Sequence, residues 1–251
     1  MNTHLFVLTG ASRGMGLAMA HQLLKPGHTL VCISRHTSSD LAAAARQSGN
    51  RLVQMQHDLA DAAPAAAALA DWLQAEASVA WTSATLVNNA GVIAGSQPLA
   101  QSNAADLARA LRVGLEAPML LSAAFLQATA SWSAARRVLN ISSGLGRRAM
   151  ASQAAYCAAK AGMDHFSRCM ALEEAQLPGG ARVCALAPGV IDTEMQNQLR
   201  NANPADFPDQ PSFAHLKSSG QLTSPEEAAR RVLAYLARPD FGVEAVADVR
   251  Q

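Results

Sequence analysis

Short apolar runs alternate along the chain with longer stretches that carry apolar residues at helical spacing. The apolar runs are rich in Val, Ile and Leu and show little polar alternation, which is typical of strands buried on both faces of a parallel sheet. They lie at residues 5–9, 29–34, 51–57, 84–88, 136–142, 182–187 and 244–249. Because helical stretches separate these strands, the pattern predicts an α/β fold: a doubly wound, mostly parallel sheet of seven strands with helices on both faces.

The helical stretches include two alanine-rich tracts, at residues 42–45 and 62–70, which alanine's high helix propensity predicts to be outer helices. A chain of 251 residues with 50% hydrophobic content can bury one large core, so we expect a single domain over residues 1–251. Helical spacing lapses over residues 196–222, where Pro204, Pro208 and Pro211 predict a long loop that could act as a substrate lid. Phe207, Phe213 and Met195 are candidate apolar walls or ordinary packing residues.

Three glycines follow the first strand and open the next helix. Gly10, Gly14 and Gly16 would let backbone N–H groups approach a pyrophosphate at the positive end of that helix. Glycines in a purely structural tight turn are the alternative, but the position at a strand's carboxyl end favours nucleotide binding.

A tyrosine and a lysine four residues apart form the second chemical pattern. On a helix Tyr156 and Lys160 share one face, where the ammonium is expected to lower the phenol's pKa toward working pH. Ser143 ends the strand-like run before this helix and could hydrogen-bond the oxygen that Tyr156 protonates. The alternative for Tyr156 is a buried ring with a satisfied hydroxyl, but its arrangement with Ser143 and Lys160 predicts a carbonyl-reducing site.

Five motifs occur in a fixed order: TGxxxGxG at residues 9–16, NNAG at 88–91, Ser143, YxxxK at 156–160, and PG before a threonine at 188–193. A lone glycine turn or YxxxK is weak, but the ordered set resembles the short-chain dehydrogenase/reductase family over essentially the whole chain. The resemblance implies a Rossmann-type domain whose N-terminal half binds a dinucleotide, with residues 143–251 forming the catalytic and substrate part.

The resemblance also implies roles for individual residues. Tyr156 would transfer the proton, Lys160 would bind the nicotinamide ribose, and Ser143 would steady the substrate carbonyl. The implied substrate contacts are Ser143, Tyr156, Gly189 and Asp248. The implied cofactor contacts are Gly10, Ser12, Arg13, Gly14, Met15, Gly16, Arg35, Asp58, Leu59, Asn89, Ala90, Gly91, Tyr156, Lys160, Gly189, Ile191, Thr193 and Met195.

The end of the second strand points to NADP(H). Where an NAD enzyme would carry an acid for the ribose hydroxyls, this chain has Ser34 and Arg35. Arg35 and Arg13 could both bind a 2′-phosphate, and guanidinium–phosphate contacts are strong. Solvated surface arginines are the alternative.

Two of the implied contacts have alternative roles. Asp58 is expected to face the adenine or to cap a helix starting near Asp61. Thr193 is expected to hold the nicotinamide carboxamide, to cap a helix, or both. Asn88, next to the NNAG contacts, is expected to brace neighbouring strands.

One family feature is missing. The family's asparagine in the helix after the fourth strand, which supports a helix distortion and a proton-relay water, falls on Gly114 here. A glycine permits the distortion without the side chain, so the efficiency of proton relay is open.

The C-terminal half resembles the sepiapterin reductases and their bacterial relatives, through residues 156–160, 171–174 and 187–196. In that subgroup an aspartate in the last strand anchors the pterin, and Asp248 aligns with it; a solvent-exposed acid is the alternative. Because relatives also reduce 1,2-diketones, the resemblance implies an NADPH-dependent reductase of a small ketone or vicinal dicarbonyl. A generic ketone or 3-oxoacyl thioester reductase, and a cofactor-sensing protein without chemistry, are the alternatives.

Charge and composition exclude other classes. A net charge of +1 without a basic run predicts no nucleic-acid or membrane partner. With neither a leader-like start nor a membrane-length apolar run, we expect a cytoplasmic protein. Cys32, Cys157, Cys169 and Cys184 lack CxxC spacing and are expected to be reduced, and no HxxxH or HExxH pattern predicts a metal. By resemblance, the helix over residues 153–175 pairs in a homodimer or homotetramer.

Overall fold

The computed structural model describes residues 3–250, and these residues form a seven-stranded sheet. The strand order is β3-β2-β1-β4-β5-β6-β7, and every pairing is parallel. The strands are β1 His4–Thr9, β2 His28–Ser34, β3 Arg51–Gln56, β4 Ser83–Asn88, β5 Ala135–Ile141, β6 Arg182–Ala187 and β7 Val246–Asp248. The doubly wound prediction is therefore confirmed, and the sheet is parallel throughout rather than mostly.

Helices cover both faces of this sheet, as the alternating pattern predicts. Short 3₁₀ turns lie at Leu99–Gln101 and Gly144–Gly146, and a π-helical segment at Arg112–Glu116 joins α4 to α5. The α-helices are α1 Gly14–Leu23, α2 Ser39–Ser48, α3 Ala63–Ala75, α4 Ala104–Leu111, α5 Ala117–Ala128, α6 Ala154–Glu174, α7 Glu194–Arg200, α8 Gln210–Ser218 and α9 Pro225–Leu236. Both alanine-rich tracts fall in outer helices, α2 and α3.

Two hydrophobic layers sandwich the sheet. Leu5 and Val7 of β1 point into one layer with α3, α5 and α6, whereas Leu8 points into the other with α1 and α9. Successive strand residues face opposite sides, so a strand buried on both sides must be apolar at nearly every position. This requirement is why the unbroken apolar runs predict the strands so closely.

The segment 196–222 contains two helices, so the prediction of a long loop there is wrong. Most of α7 and all of α8 lie in it, and Pro211 occupies the first turn of α8, where proline is tolerated. Phe207 is fully buried against Phe213, with ring centroids 5.5 Å apart. Helices of seven and nine residues present too few turns for a clear period, which explains the error.

All strands end at the same edge of the sheet because all run parallel. The strand order reverses at β1, which lies between β2 and β4, and the carboxyl ends beside such a reversal form a crevice where ligands bind. Within residues 3–250 no helix is both long and apolar enough to cross a membrane.

Candidate active site

One cavity of about 640 Å³ lies at the carboxyl edge of the sheet. It is lined by every residue that the sequence predicts for the cofactor and catalytic sites. Asp248 is the exception among the predicted site residues. Residues from β1 to β6 and the loops after them thus meet at one crevice, as parallel strand ends require.

The glycine turn brings backbone unusually close to backbone. Gly10 and Gly14 have φ values of +70° and +55°, a region that L side chains rarely adopt. A Cβ on Gly16 would lie 2.1 Å from the carbonyl oxygen of Gly10, so only glycine fits at the start of α1. The first N–H groups of α1 have no partner within the helix, and they open onto the cavity. The turn fits a pyrophosphate, which such N–H groups bind.

The NNAG segment holds this turn in place. The Asn89 side chain donates to the carbonyl oxygen of Thr9 at 2.9 Å, and the hydroxyl of Thr9 accepts from the backbone N–H groups of Asn89 and Ala90 at 2.9 and 3.0 Å. Asn88 donates to Asn140 on β5 at 2.8 Å and to Ser122 at 3.1 Å, which confirms that it braces neighbouring elements.

Two guanidinium groups lie along the cavity near the turn. Arg13 precedes α1 and Arg35 follows β2, and both side chains are exposed and line the cavity. The Ser34 hydroxyl accepts a 3.0 Å hydrogen bond from the N–H of Ala11, which ties the end of β2 to the glycine turn.

Asp58 does not cap a helix. Its carboxylate accepts from the N–H of Ala60 at 3.0 Å and lies 3.6 Å from Arg109, while α3 begins at Ala63 without a side-chain cap. The capping alternative is therefore wrong, and Asp58 remains on the cavity wall.

The segment after β6 passes over the glycine turn. Gly189 has a φ of +87°, and Ile191 pairs in a short parallel bridge with Thr223. Thr193 occupies the N-cap position of α7, but its side chain makes no capping hydrogen bond. Its methyl carbon would lie 3.6 Å from a Cβ on Gly14, so Thr193 packs against the turn, and it lines the cavity.

The phenol of Tyr156 lies beside Ser143 and is held protonated. Burial raises the pKa of Tyr156 above its ordinary value of 10.0, a hydrogen bond with Ser143 opposes this, and Cys157 adds to it. The expected lowering by Lys160 is not found, because the Lys160 nitrogen lies 5.7 Å from the ring centre and is directed elsewhere. A phenol that stays protonated at neutral pH suits a proton donor.

Lys160 is buried and points toward β5. Its ammonium donates to the carbonyl oxygen of Ile141 at 2.6 Å and lies 3.7 Å from the sulfur of Met163. Burial lowers the pKa of Lys160 to about 8, with Asp164 acting in the opposite direction. The lysine thus lies in the cavity wall with its charge only partly offset by the protein.

Gly114 lies inside the π-helical segment, so the helix distortion is present without the asparagine side chain. A Cβ on Gly114 would approach the Cβ of Ala159 to 3.0 Å, and Ala159 neighbours Lys160 on α6. The small residue therefore allows α6 to pack closely against this segment.

Asp248 is buried and does not line the cavity. Its carboxylate accepts hydrogen bonds of 2.8 and 2.6 Å from the guanidinium of Arg250, and this pairing lowers the pKa of Asp248. Arg250 lines the cavity in its place. The interpretation of Asp248 as a solvent-exposed acid is wrong, and a direct contact with substrate would require Arg250 to move.

Part of the cavity wall is formed by residues that the sequence did not indicate. Arg148, Gln153 and Arg250 add polar groups, and of the candidate aromatic walls only Phe213 lines the cavity. Apolar residues of the wall that the sequence did not indicate include Ile93, Met150, Leu199 and Leu216. They come from separate loops and helices, and only Gln153, three residues before Tyr156, carried a positional signal.

Within residues 3–250 no group of three or more His, Cys, Asp or Glu side chains is placed to hold a metal ion. The four cysteines are free: Cys32 and Cys184 are buried, Cys157 is half-buried and Cys169 is exposed.

The profile of the short chain dehydrogenase family matches residues 4–204, which is most of the chain and includes the glycine turn, Ser143 and the YxxxK pair. The chain belongs to this family. Its members use NAD(P), and the protein is an oxidoreductase of this type.

Known proteins resemble the chain over nearly its whole length. A benzil reductase ((S)-benzoin forming) of Bacillus cereus is 34% identical over 235 residues, 94% of each chain. A sepiapterin reductase of Meriones unguiculatus is 30% identical over 245 residues, 94% of this chain and 92% of the relative. The crystal structure of a metagenomic short-chain oxidoreductase in complex with NADP superposes with a TM-score of 0.70 at 28% identity, covering 98% of this chain and 95% of that one.

Proposed function

We propose that the protein is an NADPH-dependent carbonyl reductase that acts on a small ketone or vicinal dicarbonyl. The observation that carries the proposal is the meeting of Ser143, Tyr156 and Lys160 with the glycine turn in one cavity. The likeness to a benzil reductase and a sepiapterin reductase supports the substrate class. Benzil is a vicinal dicarbonyl, and sepiapterin carries a ketone on its side chain.

The residues present fit a nicotinamide dinucleotide. At Gly10 and Gly16 the missing side chains leave space that a Cβ would fill. This space and the open N-terminus of α1 would hold the pyrophosphate. Asp58 and Leu59 would border the adenine, Asn89 to Gly91 the ribose, and Ile191 and Thr193 the carboxamide. Met15 and Met195 close the cavity walls. The cofactor, when bound, supplies the hydride.

Side chains of the protein supply the proton that the substrate oxygen receives. The Tyr156 hydroxyl, kept protonated by burial, donates its proton to the substrate oxygen, and the Ser143 hydroxyl hydrogen-bonds the same oxygen. Lys160, which lines the same cavity, would hold the nicotinamide ribose. The apolar wall at Met150, Leu199 and Phe213 excludes water and accepts apolar substituents.

A preference for NADPH over NADH is proposed from charge. Arg13 and Arg35 line the cavity where a 2′-phosphate would lie, and the end of β2 lacks the acid that would bind a free ribose 2′-hydroxyl.

The test is the oxidation of NADPH followed by absorbance against benzil, diacetyl, sepiapterin and acetoacetyl thioester. Turnover of benzil or diacetyl well above the thioester is expected. Preference for the thioester would instead identify a 3-oxoacyl reductase, and NADPH binding without turnover of any substrate would identify a cofactor-sensing protein.

A further inference from the structure

A buried carboxylate lies one helical turn beyond Lys160 on α6. Asp164 is only 2% exposed, and one of its oxygens accepts a hydrogen bond from the hydroxyl of Ser142. Among residues 3–250 no donor makes a hydrogen bond to its other oxygen, although the Nε of Arg147 lies 3.4 Å away. Burial of a carboxylate with an incomplete set of partners costs stability, so its presence calls for a role beyond packing.

Asp164 joins the two segments that carry the proton-handling groups. Ser142 immediately precedes Ser143, whereas Asp164 shares α6 with Tyr156 and Lys160. The two segments are in direct contact here, because a Cβ on Gly146 would lie 2.8 Å from an Asp164 oxygen and 2.9 Å from the carbonyl oxygen of Lys160. The carboxylate therefore sets how the end of β5 lies against the helix.

The same carboxylate faces several charged or titratable groups. Arg147 approaches it from the loop after Ser143, Lys160 and Arg168 from its own helix, and Cys184 from β6. Burial raises the pKa of Asp164, and the hydrogen bond from Ser142 and the three cations lower it. In return Asp164 raises the pKa of Lys160, against the lowering that burial causes.

Arg147 extends the connection to the last strand. Its guanidinium also donates to the carbonyl oxygen of Ala247 at 3.2 Å, next to the Asp248–Arg250 pair. Asp164 thus lies where the Ser143 loop, α6 and β7 converge.

We propose that Asp164 is a positioning residue for the reduction: its carboxylate holds the Ser143 segment against α6 and places a negative charge one helical turn from Lys160. The inference rests on the proposed function, since it assigns to Asp164 the alignment of groups that act there. It is not a catalytic residue, because it does not line the cavity.

Two substitutions distinguish the effect of Asp164 on the alignment of Ser143 from the effect of its charge on Lys160. Asp164→Asn keeps an acceptor for Ser142 but removes the charge, so the alkaline limb of the kcat profile for benzil with NADPH should move down by about one pH unit. Asp164→Ala also removes the acceptor, and kcat should fall roughly 10- to 100-fold through misplacement of Ser143, with a smaller change in KM.

Ser167→Ala is the matched control. Ser167 is fully buried on the same helix and bonds Asn140 and Met163 at 2.8 and 2.7 Å, away from Ser142 and Arg147. Ser167→Ala likewise removes a buried polar group from α6, yet it should leave the pH profile in place.

A second measurement does not depend on turnover. The chain has only three lysines, Lys25, Lys160 and Lys217, so the ε-carbon NMR signal of Lys160 can be assigned with Lys25→Arg and Lys217→Arg variants. Its titration midpoint should drop by about one unit in Asp164→Asn and stay unchanged in Ser167→Ala.

The outcomes are distinguishable. If the wild-type protein reduces no carbonyl of the panel, the proposed function fails, and the NMR titration still decides whether Asp164 sets the charge of Lys160. An unchanged Lys160 midpoint in Asp164→Asn, or an equal shift in Ser167→Ala, overturns the inference.

Discussion

The ammonium of Lys160 donates a 2.6 Å hydrogen bond to the backbone carbonyl of Ile141. Ile141 is the last residue of β5 and lies two positions before Ser143, while Lys160 lies one helical turn after Tyr156. Both members are nearly fully buried, so water does not compete for the bond. One contact therefore ties the strand that ends beside Ser143 to the helix that carries the proton donor.

Replacement of the tyrosine hydroxyl should stop turnover without loss of cofactor. Tyr156→Phe removes only the proton donor, and a positioned acid typically contributes about 100- to 10,000-fold. Steady-state kinetics with benzil should show this loss, while fluorescence titration should give an unchanged Kd for NADPH. Activity within a few-fold of wild type would contradict the proton-transfer role.

Arg35 should discriminate between the two cofactors. Arg35→Ala removes a charge-assisted contact to the 2′-phosphate and should weaken NADPH binding by roughly 1.5–3 kcal/mol, with NADH almost unaffected. Calorimetric titration with each cofactor measures the difference. Arg46→Ala, on the outer helix α2, is the control and should change neither affinity. Equal losses of affinity for NADPH and NADH would contradict the role of Arg35 in binding the 2′-phosphate.

The stability of the fold should depend on pH through Lys160. Burial lowers its pKa to about 8 from the usual 10.5, so between these values the unfolded chain binds more protons than the folded one. Stability therefore rises with pH across this window. Relative to Lys160→Met, wild type should gain up to about 3 kcal/mol between pH 7.5 and 10.5, at roughly 1.4 kcal/mol per unit. Urea unfolding of the two proteins measures this; parallel pH profiles would count against it.

Asp248 and Arg250 should act as one unit in substrate recognition. Because Arg250 lines the cavity and Asp248 holds its guanidinium, Asp248→Asn and Arg250→Ala should each raise the KM for sepiapterin, and the double variant should add little. The loss should be about one to two decades in kcat/KM, with benzil spared.

A direct contact between Asp248 and the pterin predicts a different pattern. In that case Asp248→Asn would impair sepiapterin reduction far more than Arg250→Ala. Equal effects of both substitutions on sepiapterin and benzil would exclude any pterin-specific role for the pair.

Exposed apolar residues on α5 and α6 are expected to lie in a two-fold interface. Met119 and Leu172 are 47% and 70% exposed, and the family resemblance places paired helices there. Met119→Glu combined with Leu172→Glu should convert an oligomer to a monomer in sedimentation at micromolar concentration. Val243→Glu, at a residue 76% exposed in the segment before β7, should not. A monomeric wild type would refute the interface.

The sequence by itself determined the strands and the meeting of the motif residues at one edge of the sheet. A strand buried on both faces must be apolar at nearly every position, so the runs in β1, β4 and β6 are visible without any knowledge of their neighbours. Parallel strands end at one edge, so the motifs that follow them had to meet there. Gly10, Gly14 and Gly16 could also be identified from the sequence, because the backbone conformation that requires glycine is a local property.

Only the tertiary structure decided the properties that depend on partners far apart in the chain. The pKa of Tyr156 rises rather than falls because burial outweighs the hydrogen bond with Ser143, while the Lys160 ammonium is turned to Ile141. The position of Asp248 depends on the pairing of β7 with β6, and the role proposed for Asp164 depends on Ser142 and Arg147, 22 and 17 positions away in the sequence. Burial, hydrogen-bond direction and electrostatic balance arise from packing between elements, and no periodicity along the chain encodes them.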